Sequence, residues 1–248
     1  MKTKSMKTSH ILTLVLTFFA FLAPAAEPWE ADFGKLLGKY VTPAGRVKYA
    51  AWKASAEDIA ALAKVTDAIA AAGPTDATPE GRFAYHINAY NAWVLRGVLE
   101  KYPLASVRDI APLFGFFTQD RITVAGKKMS LNALEKQILI KEFRDPRVHF
   151  AINCASASCP PLMNTVYSAT RLNGALELNT KKFVNTNPLA VQVSGKEAKV
   201  SMIFDWYADD FKAAGGAAAY INSFRTEQLP AGVKVKFQEY DWSLNEAK

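Results

Sequence analysis

"FAYHINAYNAWVLRGVLEKY", residues 83–102, is the stretch that decides the fold. Its apolar residues recur at helical spacing, so we predict a helix that begins at Pro79 and ends near Tyr102. One polar residue, Asn91, falls inside the apolar stripe. A buried amide without partners costs about 1–3 kcal/mol, so Asn91 either clamps a neighbouring loop or faces a cavity. The stripe itself consists of Phe83, Ile87, Val94 and Val98.

Two more polar residues lie at the margins of this stripe. Asn88 lies at one margin, and His86 lies at the other, one turn from Tyr90 and beside Trp93. A histidine at such an edge is more often a packing residue with one bonded nitrogen than a catalyst.

Helical patterns and short hairpins fill the rest of the chain. We predict further helices over 29–41, 56–72, 131–143, 168–184 and 205–223, and hairpins over 121–130 and 189–203. We also predict strands for "RVHFAIN", residues 147–153, and "GVKVKFQEY", residues 232–240. No internal repeat or long linker divides the chain. We therefore expect one α+β domain over residues 26–248, rich in helix, with a small and mostly antiparallel sheet.

Glu135 is a polar residue on the inner face of the predicted helix 131–143, which Leu131 and Ile138 help to define. A carboxylate among leucines must be paired or protonated. It is therefore an acid, a base or the partner that orients a histidine, or it forms an ion pair with an arginine such as Arg144 or Arg147.

"HFAINCASASCPPL", residues 149–162, contains Cys154 and Cys159, which are the only two cysteines. In an oxidising compartment, two nearby cysteines commonly form a disulfide. The loop must double back for this, because bridged Cα atoms lie within about 7 Å. Closing so short a ring contributes only about 2 kcal/mol. Such a bridge would fix the shape of the loop more than it would stabilise the fold.

The same loop also fits a thiol nucleophile. Cys154 or Cys159 would attack, His149 would be the base, and Glu135 or Asn91 would orient the imidazole. The small residues after Cys154 leave room for a substrate, and their backbone N–H groups could form an oxyanion hole. In a straight strand, His149 and Cys154 would point to opposite faces, so this pair requires a bend or uses Cys159 instead.

A metal site is the third alternative, with His149, Cys154 and Cys159 as ligands and His86 or Glu135 as the fourth. The spacing differs from that of the common zinc modules, and we expect no metal and no other cofactor. The usual motifs of nucleotide-dependent enzymes, serine hydrolases and zincins are absent from the sequence.

The first 25 residues have the pattern of a secretory signal peptide. Three lysines precede an apolar run over 11–23, and Ala23-Pro24-Ala25 offers a cleavage site. Cleavage there would leave 223 of the 248 residues and lower the formal net charge from +7 to +4. We therefore expect a periplasmic or secreted protein with no later transmembrane segment. We also expect no nucleic-acid partner, because no basic run interleaved with aromatic residues occurs.

Four ordered blocks of the sequence resemble the DUF547 family, a domain of unknown function. The blocks are "YHINAYNAWVL" (85–95), "MSLNALEKQIL" (129–139), "DPRVHFAINCASASCPPL" (145–162) and "IFDWYADDF" (203–211). The resemblance covers about residues 83–211, and residues 36–53 resemble the segment that commonly precedes this domain. It implies a compact domain whose polar signature positions are Asn88, Asn91, Glu135, His149, Cys154, Cys159 and Asp210.

Two residues depart from the family pattern. The family usually has tryptophan where His86 stands, so the resemblance argues against His86 as an essential base. It usually has glycine after the first cysteine, where this chain has Ala155. This departure argues against an oxyanion hole that requires a positive φ at that position.

Two hypotheses of function follow. The first is a thiol-dependent hydrolase or acyltransferase on an amide or thioester, a small molecule or a peptide. Its candidate site residues are Cys154, Cys159, His149, Glu135, Asn91 and Asn88. The second is a non-catalytic binding or assembly module of the cell envelope, in which Cys154 and Cys159 are bridged.

Overall fold

Four helices form the N-terminal part of the computed structural model, which describes residues 28–247. The predicted signal peptide lies outside the described residues. The longest helix begins at Pro79, where Thr78 caps it by accepting the N–H of Gly81, and it ends at Lys101 before Pro103. The four helices are α1 (Pro28–Tyr40), α2 (Tyr49–Ala54), α3 (Ala56–Ala71) and α4 (Pro79–Lys101).

The carboxylate of Asp58 joins the start of α3 to the end of α1. It accepts hydrogen bonds from Lys39 Nζ at 2.6 Å, Tyr40 Oη at 2.5 Å and Ser55 Oγ at 2.9 Å. The bonds from Lys39 and Tyr40 are the main reason that the pKa of Asp58 is lowered to about 2. The side chain of Ser55 also accepts the N–H of Asp58, so Ser55 caps α3.

The middle of the chain contains a hairpin and a helix with an irregular centre. Strands β1 (Ile122–Val124) and β2 (Lys127–Met129) pair antiparallel, as predicted. Residues 131–143 are helical, also as predicted, with a π-helical stretch between two short α-helical ends. These three pieces are α6 (Leu131–Ala133), the π-helical Leu134–Ile140 and α7 (Lys141–Phe143), and α5 (Gly115–Thr118) precedes the hairpin.

The strand predicted for residues 147–153 is wrong. Residues Pro146–Phe150 form a 3-10 helix, and the residues that follow continue as a loop. Pro146 occupies the first helical position, and Asp145 caps the helix by accepting the N–H of Arg147. The alternating apolar residues suggest a strand, but they lie in a tight helical turn that is buried on more than one side.

The C-terminal part surrounds a three-stranded sheet. Strands β3 (Val191–Ser194) and β4 (Glu197–Val200) form the second predicted hairpin. Strand β5 (Lys234–Phe237), which is the last predicted strand, pairs with β4 in parallel. The helices of this part are α8 (Leu172–Thr186), α9 (Ile203–Trp206) and α10 (Ala217–Phe224), with a 3-10 helix at Ala208–Ala214 between the last two.

The buried apolar residues form two clusters, and the segment with the cysteines lies between them. Val148, Ala151 and Ala155 belong to the larger cluster, which is built mainly around α1, α3 and α4. Phe150 belongs to the smaller one, with Phe183 of α8 and residues of the three-stranded sheet. The predicted class, a single helix-rich α+β domain, is confirmed, but the strands form two small sheets where one was predicted.

Among residues 28–247, none of the helices has both the length and the apolar character that crossing a bilayer requires.

The depressed pKa of Asp58 predicts a pH-dependent effect of Asp58→Asn. The folded pKa lies below the unfolded value of about 4, so the ionised carboxylate contributes stability above that pH. This contribution is lost as the pH falls through about 2. We expect Asp58→Asn to lower the free energy of unfolding by roughly 1 kcal/mol at neutral pH and to have little effect near pH 2. Urea unfolding at both pH values measures this.

The exposed Asp120 provides the matched control. Asp120→Asn should leave the free energy of unfolding unchanged at both pH values. An Asp58→Asn effect of the same size near pH 2 as at neutral pH would contradict the assignment.

A candidate functional site around the cysteine loop

Both cysteines open into one large pocket of about 750 Å³. Glu135 and His149, two other predicted site residues, line the same pocket. The sequence hypothesis that these four residues converge is therefore supported by their positions. The other lining residues that the chemistry below uses are Tyr90, Trp206, Tyr207, Asp210, Tyr240 and Trp242.

The loop that carries the cysteines is fixed by the side chain of Asn153. Its Nδ2 donates to the carbonyl of Pro160 at 2.7 Å, on the far side of the loop. Its Oδ1 accepts the N–H of Ala155 at 2.8 Å and Asn245 Nδ2 at 3.1 Å. The loop therefore doubles back because one buried amide bonds both of its ends.

Asn91 does not line the pocket. Its Nδ2 donates to the carbonyl of Ala151 at 3.0 Å, and its Oδ1 accepts the N–H of Asn153 at 2.9 Å. Of the two interpretations of its place on the helical stripe, the clamp of a neighbouring loop is therefore confirmed. Since the clamped residue precedes Cys154, Asn91 positions the cysteine loop without touching the pocket.

Asn88 is a second clamp, directed at a different segment. It donates to the carbonyl of Tyr167 at 2.8 Å and accepts the N–H of the same residue at 3.0 Å. His86 bonds the carbonyl of Arg82 through Nδ1 at 2.6 Å and packs against Tyr85 and Phe143. Neither Asn88 nor His86 lines the pocket, and the contacts of His86 are those of a packing residue with one bonded nitrogen.

The two sulfur atoms lie at disulfide-bonding distance, with Cα atoms 6.3 Å apart. Cys154 is half-buried and Cys159 is buried. The N–H of Cys154 donates to Cys159 Sγ at 3.0 Å. The hydroxyls of Ser156 and Tyr240 lie 3.2 and 3.4 Å from Cys154 Sγ, and each lies 3.4 Å from Cys159 Sγ.

His149 is paired with a carboxylate from the C-terminal part of the chain. Its Nε2 lies 2.7 Å from Asp210 Oδ2, and its ring stacks on Tyr207 with the ring centroids 3.9 Å apart. The imidazole is buried, and Nδ1 has no hydrogen-bond partner among the described residues. Among residues 28–247, no hydrogen bond joins His149 to either sulfur.

Glu135 is held by two tyrosine hydroxyls. Tyr207 Oη donates to Oε1, and Tyr90 Oη donates to Oε2 at 3.3 Å. Burial is the main reason that the pKa of each tyrosine is raised, and the charge of Glu135 raises it further. The ion pair with Arg144 or Arg147 is wrong, because Arg147 pairs with Asp145 and Arg144 bonds a backbone carbonyl.

Ala155 adopts a positive φ of 64°. The argument from the missing glycine was wrong on this point, because the alanine occupies the left-handed region. Most backbone donors of the predicted oxyanion hole are nevertheless occupied. The N–H groups of Cys154, Ala155, Ala157, Ser158 and Cys159 all donate to other protein atoms.

Sequence reasoning missed the aromatic wall of the pocket. Trp206, Tyr240 and Trp242 form a mutually packed cluster, with ring centroids 4.7 to 5.9 Å apart. Trp206 is 46% exposed, which is unusual for a tryptophan and fits a surface that contacts a ligand. The "IFDWYADDF" block contained the signal for Trp206 and Tyr207, but residues 240–242 follow no recognisable pattern.

Within residues 28–247, no three histidine, cysteine, aspartate or glutamate side chains are grouped so that they could hold a metal ion. The metal alternative therefore finds no support in this part of the chain.

The Asn91 clamp predicts a large loss of stability in Asn91→Ala. The substitution removes two hydrogen bonds and leaves the buried carbonyl of Ala151 and N–H of Asn153 unpaired. We expect the free energy of unfolding to fall by about 2–4 kcal/mol, measured by urea denaturation. The exposed Asn164 is the control, and Asn164→Ala should cost less than about 0.5 kcal/mol. Equal effects of the two substitutions would contradict the clamp.

One family model matches the chain, and it carries the description "Protein of unknown function, DUF547". The match covers residues 74–184, so it includes both cysteines, His149 and Glu135 but ends before Asp210 and the aromatic wall. It is therefore shorter at the C-terminal end than the resemblance over 83–211 had suggested. No curated protein and no solved structure matches the chain. Residues 74–184 match this family model, which supports the resemblance of the chain to the DUF547 family.

Proposed function

We propose that the pocket is the active site of a thiol-dependent hydrolase or acyltransferase that acts on an amide or thioester. One observation carries this proposal: both cysteines and the His149–Asp210 pair line the same pocket. Nucleophilic catalysis by a thiol requires a base within reach of the substrate and a group that orients that base. The three parts are present here in one cavity.

His149 is the proposed base. Asp210 is an acceptor, so the proton on a neutral imidazole occupies Nε2, and Nδ1 retains its lone pair. This buried nitrogen has no partner among the described residues, so its lone pair is available to a proton donor that comes within hydrogen-bond distance. Asp210 fixes the tautomer and stabilises the imidazolium that forms.

Cys154 is the proposed nucleophile once the bond between the sulfurs is reduced, since it is the more exposed of the two cysteines. His149 takes the thiol proton, and the thiolate attacks the carbonyl carbon of the substrate. The amine or thiol leaves with the proton from His149, which yields a thioester on Cys154. Water or an acceptor then takes the acyl group and restores the thiol.

Tyr240 is the proposed donor to the oxyanion, because most of the backbone N–H groups of the loop are occupied. Its hydroxyl lies 3.4 Å from Cys154 Sγ, next to the carbon that the thiolate would attack. Burial raises the pKa of Tyr240, so its hydroxyl keeps its proton at neutral pH. Glu135, bound by Tyr90 and Tyr207, supports the wall on which His149 stacks.

A second candidate function is a non-catalytic binding or assembly module. The specific observation in its favour is that the two sulfurs lie at bonding distance, with no free cysteine among the described residues. In this case the exposed Trp206 and its aromatic neighbours would form the binding surface, and the clamps by Asn88 and Asn91 would only shape the loop. Both candidates place the protein in the periplasm or outside the cell, which the signal-peptide pattern of the first 25 residues supports.

Acylation of the reduced protein tests the enzyme proposal. The protein is treated with a phosphine reductant, incubated with p-nitrophenyl acetate, and analysed by peptide mass spectrometry and nitrophenol release. We expect the acetyl group on Cys154, and His149→Gln should slow acylation by roughly 100-fold or more. Asp210→Asn should slow it to a similar degree, because the amide no longer fixes the tautomer.

His86→Gln is the matched control, since His86 is the other histidine of the described residues and lies outside the pocket. It should acylate at the rate of the reduced wild type. Acylation that does not depend on His149, or a reduced protein that is not acylated at either cysteine, would contradict the enzyme proposal. Binding of ligands by the oxidised protein alone would then favour the binding module.

A further inference from the structure

The loop around the cysteines is held by hydrogen bonds in addition to the bond between the two sulfurs. Asn153 bonds both ends of the loop, and Asn91 holds Asn153 against α4. The outer side of the loop is held by the C-terminal segment, where the N–H of Ala157 donates to Ser243 and the N–H of Ser158 to Asp241. A disulfide that closes so short a ring inside this network adds little to the shape of the loop.

The position of the cysteines also differs from that of a purely structural disulfide. Both sulfurs border a pocket of about 750 Å³, a size that admits a small molecule. Cys154 is half-buried, whereas Cys159 is 7% exposed. A thiolate that enters the pocket therefore reaches Cys154 Sγ more easily than Cys159 Sγ.

The donors around Cys159 suit a sulfur that leaves as a thiolate. Its Sγ accepts the N–H of Cys154 at 3.0 Å, and the hydroxyls of Ser156 and Tyr240 lie within 3.4 Å. Hydrogen bonds to a charged sulfur are stronger than those to a neutral one. The two hydroxyls lie at similar distances from Cys154 Sγ, but the N–H of Cys154 contacts Cys159 alone, so the three groups together are placed to stabilise a thiolate on Cys159 when the bond breaks.

We propose that Cys154–Cys159 is an exchangeable disulfide that low-molecular-weight thiols open. The thiolate of the small thiol attacks Cys154 Sγ, a mixed disulfide forms, and the bond between the two cysteines breaks with Cys159 leaving as a thiolate. A second molecule of the small thiol attacks the mixed disulfide at the sulfur that came from the first molecule. The products are the oxidised small thiol and reduced Cys154, and the reverse steps restore the original bond.

The exchange reaction stands apart from acyl transfer, but one consequence rests on the proposed function. If Cys154 is the nucleophile, then the disulfide keeps the enzyme inactive, and thiol exchange activates it. The exchange is measured without any acyl substrate. Its failure would leave the acylation of phosphine-reduced protein intact, and a failure of acylation would leave the exchange intact.

The test uses the folded, oxidised protein and reduced glutathione. Samples are quenched with acid, alkylated with N-ethylmaleimide, and mapped by peptide mass spectrometry. We expect a mixed disulfide at Cys154 and an alkylated Cys159 early in the reaction, followed by loss of glutathione and alkylation of both cysteines. Opening of the disulfide only in denaturant, or glutathione on Cys159 instead of Cys154, would overturn the proposal.

A pair of tyrosine variants tests the role of the donors. Tyr240→Phe removes the hydroxyl near Cys159 Sγ and should slow the opening step about fivefold, the effect of one lost hydrogen bond. Tyr220→Phe is the control, because Tyr220 is buried and its hydroxyl has no hydrogen-bond partner among the described residues. Equal rates for the two variants would contradict the role of Tyr240 in stabilising the leaving thiolate.

Thermal unfolding of the oxidised and the reduced protein separates exchange from a structural role. We expect the reduced protein to remain folded, with a midpoint only a few degrees lower, because the hydrogen bonds of Asn153 remain. A reduced protein that is unfolded at room temperature would overturn the proposal.

Discussion

The buried amide of Asn153 is the contact on which the site depends. Its Nδ2 donates to one end of the cysteine loop, and its Oδ1 accepts from the other end and from Asn245, near the C-terminus of the described residues. Its own N–H is held by Asn91 in the longest helix. Because a buried amide is costly unless it is fully bonded, these partners are fixed together. The helix, the loop and the C-terminal segment therefore share one geometry.

The pocket lies where the two apolar clusters meet. The larger cluster supplies Ile152 and Tyr90 of α4 to the pocket lining. Glu135 of the π-helical stretch lines the pocket as well. The smaller cluster supplies Ile203 and the neighbouring Tyr207. His149 lies in a 3-10 helix whose Val148 packs into one cluster and whose Phe150 packs into the other. A cavity between two cores is a common place for a ligand site, because neither core fills the space at their contact.

The sequence predicted those parts of the fold that local periodicity controls. The helix from Pro79, the two hairpins and the inward positions of Asn91 and Glu135 follow from spacing alone. The strand at residues 147–153 was predicted wrongly, because a buried 3-10 turn and a buried strand have similar runs of apolar residues. The parallel partner of β5 could not be predicted, since pairing over such a separation is a property of the tertiary fold.

Only part of the candidate site could be predicted, because some of its contacts are also properties of the tertiary fold. Four of its residues, Glu135, His149, Cys154 and Cys159, were identified because unusual side chains stood in apolar or small-residue surroundings. Tyr207 and Tyr240 were not, because tyrosine in an aromatic-rich sequence is ordinary until its hydroxyl partner is known. Asp210 entered only through the family resemblance, and its contact with His149 spans 61 positions of the chain.

The family match ends at residue 184, so the segments that line the pocket fall on both sides of that boundary. The sulfurs and the imidazole come from the matched segment, whereas the aromatic wall and the carboxylate of Asp210 come from residues 203–242. A chain that shares only the matched segment would have counterparts of the two cysteines and His149 but not of the aromatic wall or Asp210. The sulfurs and the aromatic surface that faces them therefore come from different stretches of the sequence, which the fold brings together in one pocket.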